Sequence, residues 1–394
     1  MEVIRILIGM DVHKRSVYII EMEENGDVKE RYEIVNNESS LTEFMERYLS
    51  MQPEISLEVS TTGKYVAGKL RDMGFSIHMA DPSKLPLIFN TEKNDREYSY
   101  KLAKLLRLGE LPEVYLPSKY SDDLRSLVRY RRSLGESITM IKNRVHAILT
   151  SAGISIDAVD KLGKKGMKLI LRSIDHLSTA QRFILGDLLS QITYLIGKES
   201  TVEDEISRSI INGRNVNLLM TIPGMGIYSS AAIMSEIHNI FRFSSKEKLA
   251  SYAGLVPIQN QSGSSDIRGH ITLHGASMLR FIMVTAAHSV IKYSDRLKRK
   301  YLSIVKRLGK KRAIVAIARI LIETIYTVLV NDKEFIDRID ALTEGRMVSM
   351  RSRASKPHRI PRIEDRMNNL RIVQNDRRKR TSTEGKINKV EAIT

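Results

Sequence analysis

The sequence predicts an α/β domain at the N-terminus followed by a long, mainly helical part. Three observations predict it. The first third carries short apolar or alternating runs separated by turn signals. The middle carries apolar residues at heptad spacing. Beyond residue 214 the apolar residues recur at helical period, broken by Pro and Gly.

The chain opens on ILIGMDVHK (6–14), an apolar run that ends in Asp11 and reads as a buried strand. A carboxylate where such a strand leaves the core is costly unless it pairs or binds a cation. Asp11 is therefore either a turn-former or the first member of a metal site. Segments 16–23 and 28–35 alternate as strands and join across Asn25-Gly26, a strong hairpin signal. Residues 37–50 read as a helix with Leu41, Phe44, Met45 and Leu49 on one face. A short strand, 55–59, carries Glu58 near its end; helix 64–73 and strand 75–80 follow. A further helix runs from about 95 to 108, opening on Asn94 and Asp95, with Leu102, Leu105 and Leu106 as its apolar residues. This order suits a mixed sheet with helices on its faces. Singly, Glu58 reads as a solvated strand end and Asp95 as a helix cap. Nucleases and recombinases of the ribonuclease-H-like fold gather carboxylates from such elements around two magnesium ions. Two hard cations need several oxygen ligands, and they polarise both the entering and leaving oxygens of a phosphodiester.

The 394 residues carry a net charge of +17 and a 42% hydrophobic fraction. A positive excess this large points to a polyanion, with nucleic acid ahead of an anionic membrane. The absence of cysteine excludes disulfides and thiolate metal sites. Any metal would be held by oxygen or imidazole, which favours Mg2+ (or Mn2+). No apolar run is expected to span a membrane, and the N-terminus lacks a signal-peptide pattern, so an intracellular protein with no membrane partner is expected.

Residues 121–152 are helical by pattern. Leu127, Leu134, Ile141 and Ile148 recur every seven residues, and Leu124, Ile138, Val145 and Ala152 fill the alternate row, interrupted by Arg131. That spacing argues for a coiled-coil seam. Arg125, Arg129, Arg132, Lys142 and Arg144 surround it with few acids nearby in sequence, which favours phosphate contact over a solvated face. A second long helix, about 179–211, places Leu188, Leu195 and Val202 in heptad spacing. The two suggest an arm that packs on itself or on another protomer.

In LLMTIPGMGIYSSAAIMSEI (218–237), Pro223-Gly224-Met225-Gly226 separates two helices. The form is that of a helix-hairpin-helix element, in which Gly224 and Gly226 would let backbone N–H groups approach a phosphate. A plain helix turn is the simpler reading. From composition, 260–265 is a flexible Ser/Gly loop, with Arg268, Gly269 and His270 beyond it. Helix 277–292 reads as core. Residues 294–312 interleave basic residues with Tyr301 and suit backbone binding. Residues 313–330 form an apolar helix that contains Arg319 and Glu323, hence core rather than membrane. From about Arg346 the chain is basic and non-periodic and reads as disordered, with 377–380 (RRKR) as a nucleic-acid contact.

Three segments carry a resemblance: GMDVHK (9–14), LEVSTTGKY (57–65) and KNDREYSYKLAKLLRLGELPEV (93–114). They resemble the DEDD transposases of insertion-sequence family 110, which also includes the Piv-type DNA invertases, and the likeness runs on to about residue 332. The resemblance implies a RuvC-like domain (1–115), a helical coiled-coil arm (116–213), a mainly α serine-bearing transposase domain (214–335) and a basic tail (336–394). It implies Asp11, Glu58 and Asp95 as catalytic, metal-binding acids. The family's fourth acid falls at position 98, where this chain has Tyr98, a poor magnesium ligand. GLVPIQNQSGSSDIRGHITLHGASMLR (254–280) is similar to the family's serine-bearing stretch, and Ser262 aligns with its catalytic serine; Ser264 and Ser265 are fallbacks. Leu273 and Ala276 stand where the family often has lysine and asparagine. Arg129, Arg132, Gly224, Gly226, Arg268, His270 and Arg280 are the nucleic-acid-binding candidates.

The implied activity is RNA-guided transposition or site-specific recombination through a phosphoserine link to DNA. Donor and target DNA, an element-encoded guide RNA and a dimer or tetramer of the chain are the implied partners, in a cytoplasmic, nucleoid-associated setting. Two rivals remain at this point: a RuvC-like nuclease that uses water, and a nucleic-acid-binding copy whose catalysis is impaired by Tyr98.

Overall fold

The computed structural model describes residues 5–85, 95–158, 160–262, 265–272 and 275–357; the side chains of Asp95, Lys164 and residues 258–270 are outside that description. The chain falls into two units, Met1–Tyr120 and Ser121–Thr394.

The first unit is built on a six-stranded sheet. Strands β1 (Ile6–Val12), β2 (Ser16–Glu23) and β3 (Val28–Val35) form the expected antiparallel meander. After helix α1 (Glu38–Tyr48), strand β4 (Glu54–Glu58) returns beside β1 and parallel to it. Helix α2 (Thr61–Asp72) crosses to β5 (Ser76–Ala80), parallel to β4. Helix α3 (Asp95–Leu108) leads to the short edge strand β6 (Glu113–Val114). The order is β3-β2-β1-β4-β5-β6.

Strand side chains alternate between faces, and β1 sorts its residues accordingly. Ile6, Ile8 and Met10 join a core with Leu41, Phe44, Val66 and Leu70 of α1 and α2. Leu7 joins Leu102, Ala103 and Leu106 of α3 on the opposite face. Both faces of β1 are therefore covered, as its unbroken apolar run requires.

One buried acid organises the α1 face. Glu21 accepts a hydrogen bond from the Tyr48 hydroxyl at 2.6 Å and pairs with Lys29 at 3.1 Å, and Tyr32 donates to the Tyr48 oxygen at 3.1 Å. Burial is the main cause that pushes the Tyr48 phenol far above its usual range, so it stays a donor. A Tyr48→Phe variant removes one of the bonds that offsets burial of Glu21. It should lose about 2 kcal/mol of stability, measured as a lowered urea midpoint with an unchanged slope.

Among the described residues, the regular structure of the second unit is helical apart from one hairpin. Helices α4 (Lys119–Ser151) and α6 (Thr179–Ile210) form a long pair, with α5 (Lys164–Arg172) between them in sequence. Ile138, Ile141, Val145 and Leu149 of α4 share a core with Leu185, Leu188 and Ile192 of α6. Leu124, Val128 and Leu134, with Val202, Ile206 and Ile210, instead belong to the main core of the unit. Buried positions move from the predicted Leu127 and Ile148 to Val128 and Leu149. Leu127 and Ile148 are partly buried beside them. Arg131, the polar break in the heptads, pairs with Glu199 at 3.3 Å and Glu203 at 2.9 Å on α6.

Helices α7 (Arg214–Met220), α8 (Ile227–Ile237), α9 (Lys246–Tyr252) and α10 (Ser277–Tyr293) complete the main core with α11 (Asp295–Val330). The sequence split α11 at residue 312; its backbone instead breaks at Gly309, where φ is +76°. Contrary to the expectation that no run approaches spanning length, α11 is long and apolar enough to cross a membrane by composition. Its Ile314, Ile317, Leu321, Ile322 and Ile325 are buried in the core, and Arg319 pairs with Glu323 at 2.9 Å.

Two further expectations change. The Ser/Gly stretch is not a loop: β7 (Pro257–Ser262) and β8 (Ser265–Ile271) form an antiparallel hairpin in which Ser262 pairs with Ser265. Ladder hydrogen bonds come from the backbone, so polar composition does not prevent pairing across a two-residue connection. The region after Arg346 is not all disordered either. Helix α12 (Asp340–Ala354) packs on α6, where Arg353 pairs with Glu203 at 3.0 Å and Asp204 at 2.9 Å. The basic run 377–380 lies outside the described residues.

Candidate active site and nucleic-acid surface

Asp11 and Glu58 end adjacent parallel strands. Met10 pairs with Leu57, so the two acids occupy equivalent next positions. Gly9 and Asp11 share the face covered by α3. Gly9 is what lets α3 come close: a Cβ there would lie 2.0 Å from the Ser99 carbonyl oxygen and 2.8 Å from the Ala103 nitrogen. Ser99 in turn donates from Oγ to the Tyr18 carbonyl at 3.1 Å.

The strand ends are held by the start of α2. Ser60 caps that helix by accepting from Gly63 N–H at 2.8 Å, and Thr62 donates to the Val12 carbonyl at 3.2 Å. Gly63 is obligatory in this turn, because a Cβ would sit 2.4 Å from the Glu58 carbonyl oxygen. The following β1–β2 turn is closed by His13 N–H to the Ser16 carbonyl at 2.9 Å. Asp11 has 14% of its side chain exposed, and His13 Nε2 approaches its Oδ2 at 3.4 Å.

Tyr98, on the first turn of α3, donates its hydroxyl to Glu58 Oε2. Burial first, then the Glu58 carboxylate and the charge of Asp11, push its phenol far above the usual range. Position 98 therefore faces both acids and presents a proton, not a charge. Asp95 opens the same helix; positions three apart share a helix face. Among the described residues no group of three or more His, Asp or Glu side chains is placed to hold a metal, and the Asp95 carboxylate is not among them. The two carboxylates offer hard oxygen donors of the kind a divalent cation takes, with the phenol beside them as a hydrogen-bond donor rather than a ligand.

The candidate nucleic-acid residues fare differently. Arg129 and Arg132 were expected to have few acidic partners, but each meets one, Arg129 from α8 and Arg132 from its own helix. Arg129, with 61% of its side chain exposed, reaches Glu236 at 3.2 Å, and Arg125 reaches the same carboxylate at 3.4 Å. Arg132 pairs with Glu136 at 2.8 Å and stacks over the Phe281 ring at 4.9 Å. Glu236 is 5% exposed and was missed; the signal was a lone acid in an apolar helix. Gly224 has φ +91°, and a Cβ there would lie 2.7 Å from the Ser289 Cβ on α10, so its bare face serves packing. Gly226 precedes α8 with open space beside it, on a cleft also lined by Leu342, Gly345 and Arg346 of α12. Arg346 donates to the carbonyls of Met220 at 2.7 Å and Ile222 at 2.9 Å, neutralising the C-terminus of α7. Arg280 donates to the Ala253 carbonyl at 3.3 Å. Ser262 ends β7, and Arg268 and His270 lie on β8 of the second unit; their side chains are outside the described residues.

A run of exposed basic residues lies on α11. Lys298, Arg299, Lys300, Lys306, Arg307, Lys310, Lys311 and Arg312 are all exposed. Among the described residues, of the basic side chains between 296 and 312, Arg296 alone meets a carboxylate, Asp337 at 3.5 Å.

A sheet domain with paired strand-end acids under a helix, joined to a basic helical unit, defines a nucleic-acid-processing class of protein. Comparison with known proteins narrows it. Residues 216–302 match the family described as Transposase IS116/IS110/IS902 family, and residues 8–154 match the DEDD transposase family of IS110 elements. The chain belongs to this transposase family, and its mixed sheet is consistent with a DEDD nuclease-like fold. It is similar to the transposase of insertion sequence element IS1111A from Coxiella burnetii, 23% identical over 62% of this chain and 69% of that protein. It is also similar to the IS1328 transposase of Yersinia enterocolitica, 22% identical over 71% of this chain and 82% of that one. The pilin gene-inverting protein of Moraxella bovis is 33% identical over 31% of this chain and 39% of its own length.

Proposed function

We propose that the chain is the transposase of an insertion sequence, cutting and rejoining DNA through Ser262. The observation that carries the reading is the convergence of Asp11 and Glu58 at adjacent strand ends beneath α3. In the proposed reaction the Ser262 hydroxyl attacks a phosphodiester phosphorus, losing its proton. A phosphoserine ester forms as the bond to one deoxyribose oxygen breaks, and that oxygen leaves as a hydroxyl. A hydroxyl of the exchanged strand then reverses the step and frees the serine. No bond energy is lost, so no energy-supplying cofactor is needed. Asp11, Glu58 and Asp95 would hold Mg2+ (or Mn2+), which would polarise phosphate oxygens.

The α4–α6 pair supports a coiled-coil arm, and through it a dimer or tetramer. The α7–α8 turn supports a helix-hairpin-helix reading in which Gly226, rather than Gly224, is the position open to a phosphate. The exposed basic residues of α11 between 298 and 312 support contact with the backbone of donor and target DNA and of a guide RNA. Arg268, His270 and Arg280 would act beside Ser262. Action on DNA would put the protein in the cytoplasm with the nucleoid.

A Ser262→Ala variant tests the chemistry. With the flanking element DNA supplied, it should give no covalent protein–DNA adduct and no recombinant, while DNA binding persists. Cutting with unchanged products, and no adduct even in the unaltered protein, would instead identify water as the nucleophile.

A further inference from the structure

We infer that Tyr98 is a positioning residue for the acid site, fixing the Glu58 carboxylate so that the site takes one divalent cation rather than two. The inference rests on the reading of Asp11, Glu58 and Asp95 as metal ligands and adds what this chain's own departure does to them.

Three observations carry it. The Tyr98 hydroxyl donates to Glu58 Oε2, occupying part of one oxygen while leaving Oε1 and the remaining lone pairs. The backbone beneath that carboxylate is already fixed, because the Ser60 cap and the close approach of Gly63 to the Glu58 carbonyl define the β4–α2 turn. Tyr98 also lies on a helix seated tightly against β1 at Gly9, so the backbone that carries the phenol is held in place. Glu58 is thus restrained at both ends, as ligating carboxylates commonly are by outer hydrogen bonds.

Charge then sets the cation count. Asp11 and Glu58 supply two negative charges, and a neutral phenol adds none. One divalent cation balances the pair. Two would leave two positive charges uncompensated, with no ligand from position 98 for the second ion. The phenol therefore substitutes orientation of one ligand for the charge of another.

Mn2+ titration of the full-length protein, followed by calorimetry and electron paramagnetic resonance, tests this, with thermal melts confirming that each variant folds. The unaltered protein should bind one Mn2+ with an uncoupled spectrum. Tyr98→Phe keeps the ring and removes the hydroxyl; it should bind the same single ion about 10-fold more weakly. Tyr98→Asp should bind two ions with a spin-coupled spectrum. Two ions in the unaltered protein, or unchanged affinity in Tyr98→Phe, would overturn the inference. Binding by Tyr98→Asp alone would overturn it too, since Tyr98 would then block the site, yet the acids would remain metal ligands. Binding by neither the unaltered protein nor Tyr98→Asp would remove the metal reading itself.

Discussion

Gly9→Ala should be among the most damaging single-methyl changes in this chain. The added Cβ would meet the Ser99 carbonyl oxygen at 2.0 Å and the Ala103 nitrogen at 2.8 Å, both backbone atoms of α3. Backbone cannot rotate aside as a flexible side chain can, so the helix must move by more than 1 Å or the strand must bend. Overpacking of this kind costs about 3 kcal/mol. Activity should fall further than stability, because the shift carries Tyr98 and position 95 away from Asp11. Gly68→Ala is the matched control: nothing lies within 4 Å of a Cβ there, in the middle of α2. It should gain about 0.5 kcal/mol from helix propensity. Urea denaturation of both variants checks the opposite signs, and equal effects would show that α3 does not bear on Gly9.

The same residue shows what was legible in the sequence. The run ILIGMDV announced a buried strand, and the positions of Asp11 and Glu58 at strand ends followed from local pattern. A glycine inside such a run is itself a sign of close backbone approach, and it was there to be read. So was Gly263-Ser264, a two-residue hairpin signal between 262 and 265; composition alone argued for a loop. Other features had no local trace. Arg125 has Asp122 on its own helix at 3.6 Å, but the pairing of Arg125 and Arg129 with Glu236 is made only through tertiary packing. Helix α12 shows little apolar period because Met350, with Met347 beside it, is its main apolar contribution to the core, and Arg346 and Arg353 complete its hold on α7 and α6. Tyr98 could be recognised as a departure, but its bond to Glu58 required the approach of α3 that Gly9 permits.

Asp11→Asn should abolish strand cutting while leaving the fold and DNA binding in place. The change is isosteric and replaces a carboxylate by a neutral amide. The structural alternative, that Asp11 merely shapes the β1–β2 turn, predicts loss of stability instead. That turn is closed by backbone, His13 N–H to the Ser16 carbonyl at 2.9 Å, and braced by Asn36 donating to the His13 carbonyl at 2.7 Å. Its core side is carried by Ile8 and Met10, which the substitution does not touch. If the acid acts on a phosphate through a cation, removing it forfeits about 4 kcal/mol of transition-state stabilisation, roughly a thousandfold in rate. DNA binding should hold or tighten slightly, since the variant carries one negative charge fewer near a polyanion. Cutting of element-end DNA, a binding titration and a thermal melt, made on one preparation, separate the cases. Normal cutting with a lowered melting temperature would return Asp11 to the role of a turn residue. Lost cutting with normal melting and binding would place it in the chemistry.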